Sequence, residues 1–514
     1  MFLSRVRSEI GEAAVSTRPL HTALYARDLW PRGTIAVREG VIENRPTAVI
    51  WPASESDVLK VVVAASETAT PIVPYGAGSG VCGGTVALNG AVIVDLKRLD
   101  RIGAVDRDAW TVRADGGVMG QLLEDELNRN GMTLGHFPSS IYCSSLGGWI
   151  ATRSGGQLSS KYGKIEDQVL GLRFATPRGL FAVGEIDDTG ATRLDTGWMQ
   201  AFIGSEGLLG VITDATLRLH PAPTARAFRA FAFPSVAAGC DAMRAIMQAG
   251  LEPAVLRLYD EFDTWINKPP KSLDVAHPER WRRVASPGGA FASLKKRLAR
   301  ELGGAALRAG LRSPALLNRL AGFAPGNCLL VTMYEDACAD NPERDEAAAR
   351  EILLKQGARD LGPGPAEMWF ARRYHISYKL PTFFEMGLFV DTLEFAAPWS
   401  RFVGLAEAVR RALGETVFVM AHMSHAYVDG CSVYFTFAGR GETLDETRAT
   451  YDRTIAAALL AAARAGGSVT HHHGVGLSKA PFAKREVGPA MAIFRALKAE
   501  LDPAGVLNPG KAGL

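Results

Sequence analysis

Between residues 41 and 220, short apolar runs rich in β-branched residues alternate with turns rich in glycine and serine. Thr47–Trp51, Pro71–Pro74 and Ala91–Asp95 each have the length and composition of a strand bounded by turn residues. Between the first two, the apolar residues of 55–68 recur at helical spacing behind the polar start Ser54-Glu55-Ser56-Asp57, which predicts a helix with a capped N-terminus. A strand–helix–strand order points to α/β or α+β units, and Pro221-Ala-Pro223 closes the region as a linker.

The texture changes after residue 224. Strand candidates such as Cys328–Met333 and Gly387–Asp391 alternate with helices rich in Ala, Arg and Glu up to about residue 462. A basic stretch, 268–324, interrupts this region and carries an amphipathic segment over 291–320, with Leu311, Leu316, Leu317 and Leu320 on one side. It reads either as a helix pair covering a substrate entrance or as a contact for an anionic membrane. The last part, 463–514, returns to glycine-rich turns. The expected organisation is a helical segment at 1–40, a first domain over 41–223, a second over 224–462 with the insertion 268–324, and a C-terminal segment 463–514 returning to the first domain.

Composition narrows the class. A chain of 514 residues exceeds one ordinary core, so two or more domains are expected. With 47% hydrophobic and 22% charged residues it has the balance of a globular protein, and a net charge of +3 gives no reason to expect nucleic acid as a partner. No apolar run approaches the roughly 18 residues of a membrane span. The opening Met1–Ala14 carries acids early and does not read as a secretory signal. Six cysteines without a CxxC pair suggest reduced thiols, and a cytoplasmic enzyme is expected.

Four segments carry candidate chemistry. In 74–85, directly after a predicted strand, five glycines free the backbone to bring N–H groups against an anion such as a pyrophosphate. In 136–156, hydroxyls and glycines crowd into one stretch suited to a polar ring edge and to ribose or phosphate oxygens. Lys161–Asp167 and Phe202–Thr213 each precede a strand. Further on, Gly466–Gly476 places His471, His472 and His473 on a glycine-flanked turn. Imidazoles titrate near neutrality and can move protons, and strand alternation would let only one or two of the three address one cavity. His422 and His425 stand three apart and are read as active-site or structural groups rather than metal ligands.

The order of the four segments resembles the FAD-binding domain of the vanillyl-alcohol-oxidase and p-cresol-methylhydroxylase superfamily. The run Gly204-Ser-Glu-Gly-Leu-Leu-Gly-Val-Ile-Thr213 is its most specific piece. This resemblance implies an α+β fold: a two-subdomain FAD-binding domain and a cap domain built on an antiparallel sheet flanked by helices. It implies that Gly76, Ala77, Gly78, Ser79 and Gly80, led by Pro74 and Tyr75, wrap the pyrophosphate of FAD. Pro138, Ser139, Ser140, Ile141, Tyr142, Cys143 and Ser144 would line the flavin and ribityl chain, together with Gly148, Ala151, Thr152, Arg153 and Ser154. Glu206, Gly207, Leu208, Leu209, Gly210, Val211 and Ile212 would meet adenine and flavin through backbone groups. Relatives with covalent flavin often carry a histidine in the first glycine loop. Ser79 and Val81 stand here instead, so FAD is expected to be non-covalent.

Within the superfamily, Thr470–Gly476 is similar to the alkyl-dihydroxyacetonephosphate synthases more than to the hydroxy-acid dehydrogenases. Leu146–Arg153, Tyr162–Asp167, Leu256–Asp260, Ala397–Trp399 and Ser432–Phe437 support the likeness. It implies an exchange of the acyl group of an acyl-ketone phosphate for a fatty alcohol through a flavin N5 adduct, as in ether-lipid synthesis. The family's acid/base tyrosine then falls on Tyr434, its histidines on His471–His473 and its arginine on Arg257. Its phosphate-binding arginine should lie near Leu380, where the sequence reads Tyr378-Lys-Leu-Pro381. Lys379, Arg372 or Arg373 are the candidates to replace it. That departure keeps a second expectation open, an FAD-dependent oxidase or dehydrogenase of an alcohol or 2-hydroxy acid. The partners expected are a small-molecule or lipid substrate, a second copy in a homodimer, and the membrane surface.

Overall fold

The computed structural model describes residues 1–184, 192–266, 310–322, 327–374, 380–385 and 387–514. The chain forms two compact units: Met1–Thr224 with Glu394–Ala396 and Ser468–Leu514, and Ala225–Leu393 with Ala397–Gly467.

In the first unit, Val49–Ile50, Val92–Asp95 and Ile72–Tyr75 pair in parallel, and Val15–Ser16 adds an antiparallel edge to Val49–Ile50. The helix Glu55–Glu67 is the crossover from Val49–Ile50 to Ile72–Tyr75, and Val92–Asp95 pairs between these two strands. Ser54 accepts from the Asp57 N–H at 3.1 Å and the Asp57 carboxylate accepts from the Ala53 N–H at 3.0 Å, so the polar start read from the sequence is the helix cap. Val58, Val61, Val62 and Ala65 of this helix are buried against Ile50, Ile72, Val92 and Val94. The C-terminal segment closes this layer: Asn508 N–H donates to Ile72 O and Ile72 N–H to Val506 O, at 2.8 and 2.9 Å.

A second sheet of this unit runs Thr111–Asp115, Val211–Arg218, Val169–Thr176, Gly179–Gly184, Thr192–Leu194. Its tie to the crossover helix is ionic. Arg173, at the sheet centre and only 4% exposed in its side chain, makes a two-pronged bond to Glu55 at 2.9 and 2.6 Å. Thr213 also donates to Glu55, and Arg113 grips Asp214 at 2.9 and 3.0 Å. Burial alone would raise the Glu55 carboxyl, but the Arg173 and Thr213 bonds hold it below its ordinary range.

The second unit is a seven-stranded sheet in the order Arg359–Gly362, Ala225–Phe233, Cys328–Asp336, Val255–Tyr259, Phe418–Ser424, Gly430–Gly439, Phe389–Pro398. Strand alternation sends Phe231, Phe233, Leu258, Val433, Phe435 and Phe437 into buried positions. The helices Val236–Gln248, Asn341–Lys355, Trp399–Gly414 and Leu444–Arg464 cover the sheet and one another. Most of 268–324 lies outside the described residues. Of its leucines, Leu311 is buried with Leu388 and Phe418, and Leu317 packs against that cluster. Asn318 fastens this segment to Gly414 O, Val417 O and Val419 N–H. Leu311 and Leu317 therefore belong to an internal core, while Leu316 is exposed. None of the six cysteines forms a disulfide among the described residues. Among the described residues, no helix is long and apolar enough to cross a membrane.

Because Arg173 is buried with its charge matched, removing Glu55 leaves a cation short of its principal partner. Glu55→Ala is expected to lower unfolding stability by about 3 kcal/mol in urea titrations. Glu55→Ala with Arg173→Met should recover most of that loss.

Candidate functional site

The first glycine loop begins where the strand Ile72–Tyr75 ends. At Gly76 a side chain would collide with the Ser145 hydroxyl, and at Gly78, whose φ is +66°, with the Tyr75 phenol. Glycine is required at both for steric reasons. The Gly76 carbonyl is held by Lys97 Nζ at 2.9 Å, and the carbonyls of Gly78 and Gly80 by the N–H of Leu29 at 3.1 and 3.0 Å. Burial pushes the Tyr75 phenol up to about 12, so it stays protonated. Ala77 and Ser79 lie between these anchors.

The second segment brings its hydroxyls to order one by one. Ser144 accepts from the Trp149 indole and donates to Ser140 O, both at 2.8 Å. Ser139 accepts from Gln157 at 3.0 Å, Ser154 bonds His136 at 2.7 Å, and Thr152 donates to Gly148 O. Burial, with Lys164 nearby, lowers His136 to about 3, so this imidazole is neutral. Pro138 accepts from Ile141 N–H, Ile141 is buried, and Tyr142 is exposed beside Cys143. Arg153 caps its helix in the left-handed conformation and turns its guanidinium to Gln200. Ser145, absent from the expected set, is buried at the foot of Gly76, its hydroxyl without a partner among the described residues. A cradle kept free of side chains, with an unpartnered buried hydroxyl facing it, fits a phosphate or ring-edge oxygen of FAD.

In the third and fourth segments the backbone matters more than the side chains. Ala151 O accepts from the Glu206 N–H at 3.0 Å, and Gly207 adopts a positive φ. Leu208, Leu209 and Val211 point into the core, Gly210 makes room for Phe174, and Val211 and Ile212 pair with Ala175 and Phe174 in the sheet. The Glu206 carboxylate is structural and accepts from the N–H groups of Val475 and Gly476. Asn508 donates to Glu206 O and Gly84 O, while the N–H groups of Leu477 and Ser478 donate to Cys82 O. The C-terminal segment thus closes on both glycine segments.

The histidine tract is a turn, as its flanking glycines predict. The N–H groups of His471, His472 and His473 all donate to one oxygen, Oε1 of Glu394, at 3.0, 3.2 and 2.9 Å, joined by the Thr470 hydroxyl at 3.1 Å. The other oxygen takes Lys479 Nζ at 2.6 Å, with His473 Nδ1 at 3.3 Å. Glu394 and Lys479 are fully buried. Burial alone would raise Glu394, but Lys479, His473 and His472 hold it well below the ordinary carboxylate range. Burial, with Lys164 2.7 Å from its carbonyl, lowers His471 to about 3. Its Nδ1 shares a hydrogen bond with His472 Nδ1 at 3.0 Å.

The second unit assembles a separate cluster. His422 and Tyr434 are register partners on adjacent strands, and Tyr259 pairs with His422 from the other side. Arg257, two residues from Tyr259, faces the same way. Its guanidinium donates to His422 Nε2 and lies over the rings of Tyr259 and Trp369 at 5.4 and 5.7 Å. A guanidinium has no acceptor, so His422 carries its proton on Nδ1, 3.6 Å from Asp263. Burial and then Arg257 lower His422 well below its ordinary value. The Tyr434 ring stacks on His422 with centroids 4.8 Å apart. Arg257 Nε is buried without a partner among the described residues.

Of the expected replacements for the phosphate arginine, Arg373 stacks on Phe370 and Tyr374 and donates to Phe370 O, and Arg372 ends the same helix. Lys379 lies outside the described residues. Among the described residues no group of three or more His, Cys, Asp or Glu could hold a metal ion. Ser145, Glu394 and Lys479 were missed in the sequence. Glu394 had one signal, an acid inside the apolar run Leu393-Glu-Phe-Ala-Ala397.

The chain matches the FAD binding domain model over residues 46–183 and the C-terminal domain model of FAD linked oxidases over 222–512. It is 31% identical to an alkyldihydroxyacetonephosphate synthase of Caenorhabditis elegans, over 92% of this chain and 76% of that protein. A solved structure of an alkyldihydroxyacetonephosphate synthase superposes with a TM-score of 0.74 at 25% identity, covering 99% of this chain and 84% of that one. p-Cresol methylhydroxylase shares the fold at a TM-score of 0.71 and 16% identity, over 100% and 96% of the two chains. A glycine cradle, a C-terminal segment that returns to it and these chain-long likenesses have one reading: the chain belongs to the FAD-linked oxidase family, in common with the alkyldihydroxyacetonephosphate synthases.

Proposed function

We propose that this chain is an FAD-dependent transferase of ether-lipid type, exchanging the acyl group of an acyl-ketone phosphate for a fatty alcohol. The observation that carries the reading is the likeness to the synthases over more than nine-tenths of the chain. In this exchange the ester C–O bond breaks and the acyl group leaves as a carboxylate with its electron pair. A new C–O bond forms to the alcohol oxygen, the alcohol gives up its proton, and no electrons are gained or lost overall. FAD, when bound, supplies a reversible electron-pair donor at the reacting carbon.

The chain's own residues handle position and protons. The loop 74–80 and Ser145 hold the cofactor. Tyr434, stacked on a neutral imidazole beside a fixed guanidinium, is the proton-transfer group, and the Arg257 Nε, without a partner among the described residues, is offered to an anionic oxygen of the substrate. Lys379, Arg372 and Arg373 remain the candidates for the phosphate. FAD is held without a covalent bond, in keeping with the absence of histidine from 74–85.

Acid precipitation of purified protein is expected to leave the yellow colour in solution; a yellow pellet would mean a covalent flavin. Under anaerobic conditions palmitoyl-dihydroxyacetone phosphate should bleach the flavin and a fatty alcohol restore it with no oxidant. If instead a 2-hydroxy acid bleaches it and only an oxidant restores the colour, the chain is an oxidoreductase. Arg257→Met should lower kcat/KM by about 100-fold, or ~2.7 kcal/mol. Loss of the adjacent cation should also move the His422 titration upward, which ring-proton NMR would follow.

A further inference from the structure

The three imidazoles of 471–473 are not equivalent in their surroundings. His471 has Lys164 on its carbonyl and shares its Nδ1 with His472. His473 has a carboxylate beside its ring, Glu394 Oε2 at 3.3 Å from Nδ1. That carboxylate is built into place from both sides. Four donors from 470–473 converge on Oε1, as successive N–H groups do around an anion, and Lys479 neutralises the charge from beneath at 2.6 Å. The remaining charged groups on this turn act at its margins: Glu206 on the N–H groups of Val475 and Gly476, Glu486 on that of Val469, and Glu166 on Lys164.

We propose that Glu394 is the positioning residue of the histidine turn, fixing its backbone and holding His473 as the Nδ1–H tautomer so that Nε2 is the nitrogen offered to the reaction. A carboxylate at one ring nitrogen orients an imidazole and strengthens the other nitrogen as a base. Lys479 keeps Glu394 ionised, and an ionised acceptor can only receive the ring proton. The catalytic part of this inference rests on the transfer reading; the tautomer does not.

The test uses the FAD-loaded full chain and two variants, Glu394→Gln and Glu394→Gln with Lys479→Met. The double variant removes the buried cation that Glu394→Gln leaves uncompensated. Nitrogen-15 NMR of labelled histidine, assigned through His473→Asn, should show an unprotonated Nε2 for His473 in the parent. In Glu394→Gln it should show a mixture of tautomers. kcat should fall by about 10- to 100-fold with KM and FAD affinity little changed, as for other residues that orient a ligand or base from behind. If Glu394→Gln does not fold, the double variant should fold and show the same loss. A parent His473 protonated at Nε2 overturns the proposal, as does a folded variant with parental kcat and parental ring signals. Should no acyl-ketone phosphate be turned over, the transfer reading fails while the NMR comparison still decides the tautomer.

Discussion

A single carboxylate organises the histidine tract. Glu394 is fully buried, and its cost of desolvation is met by a lysine, a hydroxyl, three consecutive N–H groups and an imidazole. Each donor is needed by the charge, and each is held in place by it. The turn 470–476 could not otherwise keep three adjacent N–H groups pointing inward, since they would lack both water and a ladder partner. Glu206 repeats the device a few residues on, with the N–H groups of Val475 and Gly476. Two buried acids thus hold one short stretch of backbone, and that stretch carries the histidines.

The parts of the fold with a local cause were legible in the sequence. The helix 55–67 announced itself through its cap and its spacing, and the glycine loop through its composition. The histidine tract and its glycine-flanked turn were found, but what holds the turn was not. Its three successive N–H groups gather on Glu394, which stands 77 residues before His471. Lys479 pairs with the same carboxylate across 85 residues. Pairings of lone charges over such distances leave no period and no motif, so only the three-dimensional arrangement reveals them. Ser145 escaped for another reason: its neighbours in a run of hydroxyls looked alike, and only burial without a partner sets it apart.

The two clusters of titratable groups show opposite uses of burial. Glu394 is kept charged by donors on every side. His422 is kept neutral first by burial and then by the Arg257 guanidinium that faces its acceptor nitrogen. At Glu394 burial works against the charge and the neighbouring donors overrule it.

The order in which the chain is made adds a constraint of its own. The first glycine loop lies within the first hundred residues, yet the groups that close on it are Leu477, Ser478 and Asn508. Ile72, at the loop's supporting strand, receives its last backbone partners from Val506 and Asn508. A ribosome must therefore deliver more than five hundred residues before the cofactor cradle has its final wall. Flavin capture is a late event in the life of each molecule, and the early domain waits, half-built, for its own tail.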